Sequence, residues 1–153
     1  MPVPSSVIDD VQWLYVGGIS EPRENDLRIL LEEARVAPSK ADLPVVGPHS
    51  TYGAIVHDET CRVFEVRFLP VVAYLVTNET YPNPDKDYDR FTGQKFRHYS
   101  RSRYLDFIRK STVDFSDVWG PLRHWGIACL NNIIDVVSQK DPVIEILREG
   151  DKG

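Results

Sequence analysis

Apolar and polar residues alternate with two different periods along this chain, and each change of period marks an element. Val11–Val16, "VQWLYV", is aromatic and β-branched and halts at Gly17-Gly18, which predicts a first strand. Leu27, Leu30, Leu31 and Ala34 then fall at i, i+3, i+4 and i+7, the single apolar stripe of a helix. Ser20 suits its N-cap, Glu21, Pro22 and Glu24 suit its first turn, and Pro38 ends it. The stretch "PSKADLPVVGPHS", 38–50, is rich in breakers and reads as a loop.

Period two takes over in "TYGAIVHDETCRVFEVRFL", 51–69. Two strand-like runs flank His57-Asp58-Glu59-Thr60, a short polar connection suited to a hairpin. Phe64, Val66 and Phe68 share one face, with Arg62 intruding near the turn. "VVAYLVT", Val71–Thr77, is uniformly apolar and predicts a central strand, while Pro70 before it marks an edge or a bulge. "NETYPNPDKDYDRFTGQ", 78–94, reads as a mobile polar loop.

In His124–Gln139 the two periods compete. Asn131, Asp135 and Ser138 suit a polar helix stripe, but the β-branched residues and the central Asn131-Asn132 favour a hairpin whose turn uses positive φ. A last strand follows the Asp141-Pro142 turn. The sum is an α+β fold: a single domain, residues 1–153, with a mainly antiparallel sheet of about six or seven strands and two helices. Residues 1–9 and 148–153 are expected to fray.

Composition adds bounds. A chain of 153 residues with 42% apolar and 27% charged content matches one globular domain able to build a core without staples. The N-terminal "MPVPSSVIDD" has neither a basic start nor an apolar segment, so a cytoplasmic location is expected. Cys61 and Cys129 show no motif spacing and read as two half-buried thiols. A pI near 5.3 argues against a general nucleic-acid binder.

Charge is unevenly placed. Between Arg90 and Lys110 seven basic residues face only Asp106, a charge of +6, which leaves −11 for the rest of a chain whose net charge is −5. Such polarity draws anions or acidic partners. Ser100 or Ser102 can cap a helix with Tyr104, Leu105 and Ile108 on its apolar side, placing His98 and Tyr99 at a strand-to-helix junction. The plainer account is a solvated face whose arginines pair with acids of the same domain. The sharper one is a binding site, since guanidinium forks beside Tyr and His suit carboxylate or phosphate.

Signals of catalysis are sparse. The sequence has no phosphate-cradling glycine motif, no G-x-S-x-G elbow and no H-E-x-x-H. His57 and Cys61 lack two further zinc ligands, so no metal or cofactor is expected. Strand alternation sets Cys129 and His124 on opposite faces, which favours Cys129 as core. Asp135 reads as a solvent-facing strand residue, and Trp119, Trp125, Phe107, Phe115 and Tyr104 as core or as a partner hot spot.

These features point to a non-enzymatic binding protein of regulatory, adaptor or inhibitor (immunity-like) type. Its expected site comprises Arg97, His98, Tyr99, Arg101, Arg103, Tyr104, Arg109, Trp119 and His124, and its expected partner is an acidic protein or an anionic small molecule. An enzyme using His98 or His124 as base with arginine clamps is the alternative, and self-association a third option.

Overall fold

The computed structural model describes residues 1–37, 54–81, 83–84 and 87–151, and every strand pairing among them is antiparallel. The first sheet joins β1 (Trp13–Arg23), β2 (Asp26–Val36), β4 (Val63–Phe68) and β10 (Val143–Arg148) in that order, with β3 (Ile55–Val56) on the end of β2. The second runs β5 (Val71–Asn78), β9 (Asn132–Ser138), β8 (Arg123–Ala128), β7 (Phe96–Arg101), β6 (Arg90–Thr92). Helices α1 (Ser6–Asp9), α2 (Arg103–Ser111) and α3 (Ser116–Trp119) complete the described elements. The single sheet of six or seven strands and two helices thus becomes two sheets of five and three short helices.

One core lies between the sheets. Leu27, Ile29, Leu31, Phe64, Val66 and Phe68 from the first meet Phe96, Trp125, Ile127, Ile134 and Val136 from the second. The Phe68 and Trp125 rings meet at 5.7 Å. Full burial of side chains this size contributes about 1.5–3 kcal/mol each. Ile8 of α1 enters the same core, and Val3 N–H donates to the Ile144 carbonyl at 2.8 Å, within the segment read as a fraying end. The outer face of the first sheet is charged and cross-paired, as in Arg28–Glu65. Part of the outer face of the second is covered by α2, whose Leu105 and Ile108 pack on Val137 of β9.

The expected helix over Leu27–Ala34 is strand β2. A helix would have stranded Ile29 on the polar side. The strand buries Leu27, Ile29 and Leu31 together and turns Leu30 to the outer face. Ser20 accordingly lies inside β1, which passes through Gly17-Gly18 with a bulge and reverses at Glu24-Asn25, where Asn25 takes φ 59°. The run at 51–69 is no hairpin: β3 and β4 both pair with β2, not with each other. The loop expected at 38–50 lies outside the described residues, and Arg90–Thr92 of the expected 78–94 loop form β6.

Among the described residues β5 is an edge strand, not a central one, and Pro70 does precede an edge with a bulge between Val71 and Ala73. The hairpin at 124–139 forms as β8–β9. Its turn uses no positive φ at Asn131. Instead Asn131 Oδ1 accepts from Val16 N–H at 2.9 Å and Nδ2 donates to the Val16 carbonyl at 3.1 Å, tying this turn to β1 across the sandwich.

Candidate functional site

Strand β7 distributes the expected site over two faces, because its side chains alternate. Phe96 enters the core between the sheets, and His98, two residues on along the same face, is exposed and stacks on Trp125 at 5.3 Å. Arg97, Tyr99 and Arg101 occupy the outer face. His98 and Tyr99 are therefore mid-strand residues, not a strand-to-helix junction, and no helix N-terminus serves them.

The N-terminus of α2 is closed from within. Ser102 is the cap: its Oγ accepts from Leu105 N–H at 3.0 Å and lies 2.7 Å from His124 Nδ1. His124 Nε2 lies 2.7 Å from Asp135 Oδ1. The carboxylate can only accept, so Nε2 donates to it, and in the neutral imidazole Nδ1 accepts from the Ser102 hydroxyl. This Ser–His–Asp series resembles a hydrolase triad in composition only. Ser102 and His124 are each 1% exposed, and the Ser102 oxygen is spent on the helix cap.

Aromatic rings seal the cluster. Tyr99 stacks on His124 at 4.0 Å, and Tyr104 meets it edge-on at 5.3 Å. Burial raises both phenols, that of Tyr104 to about 12, so neither is an acid–base group near neutrality. Gly126 makes the stack possible, since a Cβ there would sit 2.8 Å from Tyr99 Cε2. Asp135 is thus half-buried and hydrogen-bonded, where a solvent-facing residue was expected. His124 and Tyr104 hold α2 on the sheet and offer little surface to a partner.

The open surface is elsewhere. Arg97 lies over the Phe91 ring at 4.5 Å and donates through Nε to the Gln94 carbonyl at 2.7 Å. Arg101 lies over Tyr88 at 4.7 Å and donates to the Tyr88 carbonyl at 2.7 Å. Neither has a carboxylate at ion-pair distance among the described residues. A cation resting on a ring keeps its charge for other partners, unlike one neutralised by a carboxylate. Arg103 opens α2, and its backbone N–H donates to Asp89 Oδ1 at 3.1 Å.

The supports were not legible in the sequence. Phe91 reaches Arg97 through the β6–β7 register, and Tyr88 is fixed by donating its hydroxyl to Asp106. That bond is the main cause of the raised Tyr88 phenol. Asp9, far away in sequence, accepts through Oδ1 from the N–H groups of Gln94, Lys95 and Phe96 at 3.1, 2.8 and 2.8 Å. It clamps the turn that presents Arg97. Gly93, at φ 86°, is required there because a Cβ would strike the Phe96 carbonyl.

Arg109 and Trp119 belong to a separate place. They line a groove beyond the end of α2, where Trp119, Phe115 and Val113 are exposed. Of the aromatic set, only Trp125 is deep core, and Tyr104 packs half-buried beside Leu105 and Ile108. Phe107, Phe115 and Trp119 face solvent. Cys61 and Cys129 are both fully buried free thiols, where half-buried ones were expected, and burial pushes the Cys129 thiol up to about 12. Among the described residues no three His, Cys, Asp or Glu side chains gather as a metal site, and no helix is long and apolar enough to cross a membrane.

No family model, curated protein or solved structure matches the chain.

Proposed function

We propose that this protein binds an acidic protein partner through the outer surface of β6 and β7, acting by capture and not by catalysis. The observation that carries this reading is the pair Arg97 and Arg101, mounted on Phe91 and Tyr88 with no carboxylate at ion-pair distance among the described residues. The mount restricts the side chains in advance, so less conformational entropy is lost on docking. Phe91, 43% exposed, adds apolar area beside the charges. The acidic remainder of the chain repels the same partner elsewhere and so orients its approach. A regulatory, adaptor or inhibitor role fits such a surface.

A fluorescein-labelled hexaglutamate peptide is a direct probe, read by anisotropy across a sodium chloride series. The wild-type chain should bind it with salt-dependent affinity, and Arg97→Ala/Arg101→Ala should weaken low-salt binding by about fivefold or more. Equal affinity of the two proteins, both folded by circular dichroism, would refute the reading.

One observation favours an enzyme acting on an anionic small molecule. A cavity of about 480 Å³ gathers His98, Arg123, Asp141 and Asp9. Against it, Arg123 is paired with Asp141 at 2.7 Å, and Asp9 Oδ1 is committed to three backbone N–H groups.

A further inference from the structure

We infer that the groove between the α2–α3 connection and the start of β5 is a binding site for a small amphipathic anion, an apolar body bearing one carboxylate. It encloses about 1020 Å³, at the upper end of what small-molecule sites use. Its walls are apolar: Val72 from the edge strand faces Val113, Phe115, Trp119 and Leu122 from the segment after α2. Phe115 and Trp119 pack ring to ring at 4.6 Å, which sets the aromatic wall in place. Trp119 nonetheless remains 60% exposed and Val113 72% exposed. Apolar surface of this kind, concave and uncovered, gains free energy when an apolar body fills it.

Charge selects the ligand's head. Arg109, from the last turn of α2, and Lys140, from the turn after β9, both line the groove. Neither has a carboxylate at ion-pair distance among the described residues. Among the described residues the one acidic member of the lining, Asp114, accepts from Ser116 N–H at 2.8 Å, and its carboxyl is held below the ordinary range chiefly by Ser116, with a smaller influence of Arg109. The lining therefore carries two cations against one committed carboxylate. An apolar slot with a cationic rim rejects cations, admits neutral molecules weakly and prefers an anion with a hydrophobic tail. None of Arg97, Arg101, Phe91 or Tyr88 lines it, so the inference stands independently of the acidic-partner surface.

Calorimetric titration of the full chain with decanoate, decanol and decyltrimethylammonium, all below their micelle thresholds, tests this. Decanoate should saturate at one molecule per chain and bind about tenfold more tightly than decanol, the two exposed charge contacts together. The cationic detergent should bind more weakly than either. Arg109→Ala/Lys140→Ala should erase the decanoate preference and leave decanol binding unchanged. Trp119→Ser should weaken all three, and Arg97→Ala/Arg101→Ala none. All these positions are exposed or half-buried, and circular dichroism verifies each fold. Absence of saturable binding would overturn the inference, as would a head-group preference that survives in the double variant. So would light scattering that shows a dimer converted to monomer by Trp119→Ser, since the groove would then belong to a second copy.

Discussion

Replacing Ser102 with alanine removes one oxygen that serves two buried partners. The first is Leu105 N–H, an otherwise unsatisfied donor in the first turn of α2, and loss of such a cap costs about 1 kcal/mol. The second is His124 Nδ1, which at 1% exposure has no water to replace the hydroxyl, and an orphaned buried acceptor costs about 1–3 kcal/mol. The two add because they fall on different groups, giving about 2–4 kcal/mol. A loss of about 3 kcal/mol lowers the thermal midpoint of a chain this size by roughly 6–12 °C. Urea unfolding followed by tryptophan fluorescence measures it. Ser100→Ala is the control, because that hydroxyl is exposed and among the described residues meets only the Arg90 carbonyl, at 3.3 Å. Its cost should stay within about 0.5 kcal/mol. A cycle with His124→Phe should show coupling of at least about 0.5 kcal/mol. Equal losses for Ser102→Ala and Ser100→Ala, or a cycle without coupling, would refute the argument that Ser102 joins helix to sheet.

Asp9→Ala strips the acceptor from three backbone N–H groups of the β6–β7 turn. It should cost about 1–3 kcal/mol and raise amide exchange at Gln94–Phe96 while β4 keeps its protection. Acid should weaken the fold in a defined window. Asp26 is fully buried, and its carboxyl is held below the ordinary aspartate range first by its bond to Arg67 and also by Arg23. Its contribution is present above the unfolded-state value of about 4 and is lost as pH falls toward the lower folded value. Asp26→Asn should be less stable than wild type at pH 7 and lose less between about pH 5 and pH 2, in urea midpoints taken across that range. A parallel loss in both proteins would contradict this.

Much of the β-rich middle was readable from local pattern. Phe64, Val66 and Phe68 alternate, and they are fully buried on one face of β4. Ser100 and Ser102 could both be offered as the cap, because a short polar side chain before an apolar helix stripe suits that role, and the fold gives it to Ser102. Pattern failed where two periods were compatible with the same residues. Leu27, Leu30, Leu31 and Ala34 satisfy a helix, and only pairing with β1 and β4 tips Leu27, Ile29 and Leu31 into a strand. Val71–Thr77 is apolar enough for a sheet centre, yet among the described residues it has a strand neighbour on one side only, and Val72, Leu75 and Val76 are exposed.

The chain order alone determined that positive charge accumulates between Arg90 and Lys110 and that a capped helix with Tyr104, Leu105 and Ile108 on its apolar side forms there. Composition and local periodicity are properties of neighbours in sequence, and they survive without knowledge of the fold. Tertiary structure decided which of those charges are available. Whether an arginine meets a ring, a carbonyl or a carboxylate depends on groups brought from distant positions: Asp9 fixing the turn beside Arg97, Asp135 reaching His124, Val72 closing the groove at Arg109. Electrostatic and packing energies act over a few ångströms of space and take no account of separation along the chain, so the fold had to form before these partners existed.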